Sequence, residues 1–357
     1  IARRLTETQW LERLTTELAS HAARIESDPQ SNPVKLLAYD ISKAVEERSL
    51  AFRDIEGLVK IISDKSAVRR ARRLYSRAGV GPKEDIDVAV RAMATEKAEL
   101  GFDSFKAWVE IAGQGIVLTA HPTFSLSPEI RETLGQIASS DDGNCKALKE
   151  HLKTLPFLQK GAPTLQEEHR DTQSAISRIQ DSLDQINAIA LTVANQYFPE
   201  KWTALTPCLT KIYSWVGYDI DGRTDIGWAD AIRLRLQEKR GQLKRYQAAA
   251  EQIIKTHSGF ASPAFDTLME VLGQACESTD RDLELFNKDM SVPDNLIAAA
   301  NNLTRESSRR IRSTSVLFPL LASAIDAAGS VDAKRDILAL RSSIRTFGLG
   351  TARIHFR

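Results

Sequence analysis

Gly115-Ile116-Val117-Leu118-Thr119-Ala120-His121-Pro122-Thr123 is an apolar, β-branched run that ends on a histidine and a proline. Ile116 to Thr119 favour a fully buried strand over a helix, and Pro122 forbids a helix that continues through His121. A histidine is thus delivered to the open end of a strand. Parallel barrels and doubly wound sheets expose their working groups there. As a pattern alone, the same histidine also reads as a structural or solvated residue.

Two further stretches share this design. Tyr213-Ser214-Trp215-Val216-Gly217-Tyr218-Asp219-Ile220-Asp221-Gly222-Arg223 carries an apolar strand into a turn rich in Asp and Gly. Asp219 and Asp221 would share one face if the backbone stays extended, so a cation site and a plain turn are both open readings. An EF-hand is excluded because the later ligand positions are missing. At the other end, Gly348 and Gly350 stop a helix, after which Ala352, Ile354 and Phe356 alternate with Arg353, His355 and Arg357 at a strand period.

These letters resemble the signatures of the phosphoenolpyruvate carboxylase family. Thr119-Ala120-His121-Pro122-Thr123 is similar to its Thr-Ala-His-Pro-Thr motif, with Phe124 where Glu or Gln normally follows. Trp215, Gly217, Asp219, Asp221 and Gly222 match its Trp-Met-Gly-Gly-Asp-Arg-Asp-Gly-Asn-Pro signature in register, with Tyr218 for the second glycine, Ile220 for the arginine and Arg223-Thr224 for Asn-Pro. The terminal segment is similar to Phe-Gly-Leu-x-x-Ala-Arg-Leu-Asp-Ile-Arg-Gln, with Arg357 on the last arginine and His355 on the aspartate. The resemblance covers residues 111–357, with all three motifs in order.

The resemblance implies carboxylation of phosphoenolpyruvate by bicarbonate to oxaloacetate and phosphate, with Mg²⁺ or Mn²⁺ as cofactor. In that chemistry His121 is the general base and Arg357 binds the substrate, while Thr119, Pro122, Thr123, Trp215, Gly217, Asp219, Asp221 and Gly222 support the motifs. The family's metal ligands fall in a C-terminal half outside this sequence, so no metal ligand is expected in this portion. A homotetramer is also implied.

Composition agrees with a globular protein: 42% of residues are hydrophobic and 27% charged. The formal net charge of +1 supplies no global field towards nucleic acid or an anionic membrane. Cys145, Cys208 and Cys276 fit no ligand spacing and no disulfide framework, which points to the cytoplasm. Residues 313–325 form a nearly uncharged run, interrupted by Pro319 and too short to span a bilayer. The chain opens on Ile1 and reads as a fragment, a processed form or the ordered part of something longer.

Elsewhere the periodicity is helical. Leu11, Leu14, Leu18, Ala22 and Ile25 form one stripe; helices are predicted over residues 34–63, 67–78 and 83–112. Thr164 to Glu167 satisfies a capping box that opens a long amphipathic helix ending near Pro199, with His169 and Arg170 on its solvent-facing side. Further helices are expected over residues 225–256, 264–276, 293–312, 317–328 and 333–346. Arg69, Arg70, Arg72, Arg73 and Arg77 form the densest basic cluster, read as a solvated face or an anion patch, and Arg309, Arg310 and Arg312 are read as surface.

The expected fold is mainly α, with many helices around the first strands of a parallel β/α barrel of the TIM type. A helical region over residues 1–110 precedes residues 111–357, the first part of the barrel with long helical insertions, and the two are expected to form one continuous structural unit from which the C-terminal half is absent. Two other readings stay open: a catalytically inactive scaffold or interaction module derived from the same family, which Phe124, Tyr218 and Ile220 favour, and an unrelated helical nucleic-acid binder.

Overall fold

The computed structural model describes residues 5–78, 83–119, 126–140, 145–156, 163–219, 224 and 226–354. Helices dominate. In chain order they begin with α1 (Glu7–Ala23), α2 (Pro33–Glu46), α3 (Phe52–Ala78), α4 (Lys83–Glu99) and α5 (Phe102–Glu110), followed by strand β1 (Gln114–Leu118). Next come α6 (Pro128–Ser139), α7 (Cys145–Thr154), α8 (Leu165–Tyr197) and strand β2 (Thr210–Ser214). The chain closes with α9 (Trp228–Thr256), α10 (Pro263–Phe286), α11 (Pro293–Thr304), α12 (Leu317–Ala327), α13 (Val331–Phe347) and strand β3 (Arg353–Ile354).

Contacts divide the chain into two compact units, Ile1–Val80 with Ser125–Ala162, and Gly81–Phe124 with Pro163–Arg357. The first holds α1 to α3, α6 and α7. Trp10, Ala44, Leu50 and Leu58 close one small core in it, and Ile130, Leu134, Ile137, Cys145, Leu152 and Leu155 close another. The second unit holds α4, α5, α8 to α13 and the sheet. Its large core runs from Phe105 and Val109 through Leu191, Tyr246, Phe265 and Leu321 to Ile344.

The sheet is parallel, in the order β1-β2-β3. Gln114 stands beside Thr210 and Leu118 beside Ser214, which in turn stands beside Ile354. Ile176 and Leu183 of α8 pack against Ile212 and Ala352, so the long helix backs the sheet. Three strands with two free edges make a sheet, and no closed barrel is formed by the described residues.

Several local expectations hold. Thr164 Oγ1 accepts from the Glu167 N–H at 3.3 Å while Glu167 Oε2 accepts from the Thr164 N–H at 2.8 Å, and α8 then runs unbroken for 33 residues. Other boundaries move. Arg48 takes a left-handed φ of 59° between α2 and α3, so residues 34–63 are two helices, and α3 carries on through Asp64 to Ala78 as one. The helix from Ala264 extends to Phe286, because Leu283 and Phe286 are buried, whereas α11 stops at Thr304, short of Arg312.

Burial brings larger corrections. β1 is exposed where a fully buried strand is predicted: Val117 is 51% exposed, for β1 is an edge of the sheet with β2 on one side. His169 is buried where a solvent-facing residue is expected, while Arg170 is exposed. Arg310 is likewise interior, with its side chain 9% exposed and paired to Asp282, which is 1% exposed. No helix among the described residues is long and apolar enough to cross a membrane.

Candidate active site at the strand exits

Parallel neighbours point the same way, so β1, β2 and β3 all end along one edge of the sheet. Thr119, half-buried, leaves β1 there, and Trp215 leaves β2. His121, Pro122 and Thr123 lie outside the described residues, as do Asp221, Gly222 and Arg357.

The exit of β2 is described as far as Asp219. The Val216 N–H donates to Ser214 Oγ at 3.2 Å, and the Tyr218 N–H donates to the Trp215 carbonyl at 2.9 Å, so the chain turns at once on leaving the strand. Gly217 makes this turn with φ 93°, a conformation that L side chains rarely adopt. A Cβ at this position would also lie 2.5 Å from Leu234 Cδ1 of α9. Trp215 and Asp219 remain partly accessible, and Val216, Gly217 and Tyr218 are buried.

Tyr218 ties the turn to two helices. Its hydroxyl donates to Glu238 Oε1 at 2.9 Å, and His169 Nε2 meets the same oxygen at 3.2 Å. Gln173 Nε2 donates there at 3.3 Å, while Arg235 donates to the other oxygen, Oε2, at 2.7 Å. One carboxylate thus gathers donors from α8, α9 and the β2 exit.

Burial of Tyr218 pushes its phenol far above the ordinary value, and the charge and hydrogen bond of Glu238 push it further. The hydroxyl therefore stays protonated as a fixed donor. The side chains of His169 and Glu238 are 7% and 4% exposed, yet both border a cavity of about 640 Å³ that Arg170, Arg233 and Gln237 also line.

The approach to β3 is fixed by the same helices. Gln180 donates to the Thr351 carbonyl at 3.1 Å and to Gln242 Oε1 at 2.9 Å, and the Tyr246 hydroxyl donates to the Gly348 carbonyl at 2.9 Å. The Arg235 guanidinium lies over Gly350 where any Cβ would collide with it. Arg235 therefore joins the Glu238 cluster to the chain that feeds β3.

Sequence reasoning singles out Trp215, Gly217 and Asp219 at the β2 exit and passes over Glu238, Arg235 and Gln173, which the structure places beside it. Their letters sit in a charged helical stretch that reads as a solvated outer face. Among the described residues no group of three or more His, Cys, Asp or Glu is placed to hold a metal ion. No protein-family model matches this chain, and no curated protein does.

Proposed function

We propose that the chain is the N-terminal portion of a phosphoenolpyruvate carboxylase-like lyase, which joins phosphoenolpyruvate and bicarbonate to give oxaloacetate and phosphate. The observation that carries this reading is the sheet register. Leu118, Ser214 and Ile354 stand abreast in parallel strands, so the three signature segments leave the same edge of the sheet. On this reading the three strands are the first of an eight-stranded barrel, and the protein works as a homotetramer in the cytoplasm.

The roles follow from side-chain chemistry. His121 acts as general base on the carboxyphosphate proton, a task that suits an imidazole titrating near neutrality. Arg357 holds substrate oxygens through a bidentate guanidinium. Mg²⁺ or Mn²⁺ belongs to the proposal through the resemblance, with ligands outside this sequence, where it would offset charge on the enolate oxygen.

One observation favours the inactive scaffold as a second reading. Tyr218 stands where the family has a glycine, and its side chain is spent on packing against Leu234 and on the bond to Glu238. Oxaloacetate formation by the product of the complete gene, with Mg²⁺ present, decides between the two. Turnover that falls about 10²–10⁴-fold in His121→Ala supports the enzyme. Absence of turnover in the unmodified protein supports the scaffold.

A further inference from the structure

The basic half of α3 acquires a meaning in the first unit that the carboxylase reading does not use. Between Lys60 and Ala78 the helix carries seven Lys or Arg against one carboxylate, and α7 adds three lysines against one glutamate. The two helices flank a groove of about 520 Å³. Its walls present Ile61, Val68 and Leu152 as apolar surface, with Lys65, Arg69, Lys146 and Lys149 around them.

The carboxylates bordering the groove are already engaged. Asp64 accepts from Lys60 Nζ at 2.9 Å, and Glu150 from Lys153 Nζ at 2.6 Å. Lys65, Arg69, Lys146 and Lys149 have no acid or hydrogen-bond partner among the described residues. Arg72, one turn beyond Arg69, donates to Cys145 Sγ at 3.0 Å and so ties the start of α7 to α3. Folding thus fixes two cationic helices side by side and gains nothing from the four unpaired charges. They repel one another, within a distance over which salt screens only partly.

A concave groove with unpaired cations around an apolar floor is the complement of a molecule with the opposite layout. Arg69 offers the planar fork that matches phosphate oxygens, and the lysines offer point charges. The volume lies in the range of small-ligand sites, roughly 300–1,000 Å³. Among the described residues no aromatic side chain lines the groove, and none offers the stacking platform of a single-stranded nucleic-acid binder. We propose that this groove binds a small organic polyphosphate, its apolar body against Ile61, Val68 and Leu152 and its phosphates among Lys65, Arg69, Lys146 and Lys149.

Calorimetric titration of the whole chain with ATP, pyrophosphate, adenosine and a short single-stranded RNA tests this. Saturable one-to-one binding of ATP, weakened by added salt and at least about tenfold tighter than that of pyrophosphate or adenosine, is expected. Lys65→Glu with Arg69→Glu should weaken ATP binding by about tenfold or more, whereas Arg70→Glu, in the same cluster but outside the groove lining, should change it less than about threefold. Should the charge-reversed pair fail to fold by circular dichroism, Lys146→Ala with Lys149→Ala serves in its place. The proposal is overturned if ATP does not bind saturably, if pyrophosphate binds as well as ATP, if RNA binds more tightly than ATP, or if Arg70→Glu costs as much as the paired variant.

Discussion

β1 and β2 lie side by side in register, yet their surroundings are opposite. β2 has a strand on each side, buries Ile212 and Ser214, and leads into a turn whose tyrosine is held by Glu238. β1 has one neighbour among the described residues and leaves Ile116 and Val117 36% and 51% exposed. The difference teaches that signature letters at a strand's exit and the rigidity of that exit are separate properties. At β2 the support comes from helices remote in sequence, whose Glu238 lies 20 residues beyond Tyr218.

The contrast is open to attack by mutation. Glu238→Ala strikes it hardest, because His169, Tyr218 and Gln173 lose their shared acceptor. A loss of about 3 kcal/mol in urea unfolding is expected, the low end for a broken buried pair, since Arg235 keeps 43% of its side chain in water. An unchanged unfolding midpoint would sink the claim that this carboxylate anchors the β2 exit. Gly217→Ala comes next: the left-handed φ and the contact with Leu234 together predict a cost of roughly 1–3 kcal/mol by the same measurement.

On the other strand, Val117→Thr should stay within about 0.5 kcal/mol of the parent, because half of the side chain is already in water. A loss above about 2 kcal/mol would show that β1 is as enclosed as β2, and the comparison would fail. The smallest effect belongs to the start of α8. There the Thr164 backbone N–H, then its hydroxyl, hold the Glu167 carboxyl below its ordinary 4.5. A lowered carboxylate stabilises fully above the ordinary value and loses that contribution as pH falls through the lowered one. The stability gap between the parent and Glu167→Gln should therefore be present at neutral pH and close in acid, as thermal melts across that range would report.

Much of the helical layout is legible in the letters. The capping box at Thr164, the stripe from Ile176 to Val193 and the glycine stop after α13 each rest on interactions within a few residues, which a sequence displays directly. The candidate site is legible in part. Gly217 matters for a local reason, its backbone angle, whereas His169, Glu238 and Arg310 look like surface charges because their partners lie 69, 69 and 28 residues away. The break at Arg48 has no glycine or proline to announce it, so the periodic pattern runs across it unmarked.

The sequence by itself determined that three short strands interrupt a helical chain and that each adjoins polar or glycine-containing segments, because strand period and turn chemistry are properties of neighbouring residues. Only the tertiary structure decided that the strands are parallel and level, that β1 faces water, and that a carboxylate on α9 holds the turn after β2. Burial and pairing depend on which distant groups arrive beside a residue, and one-dimensional hydrophobicity carries no record of them.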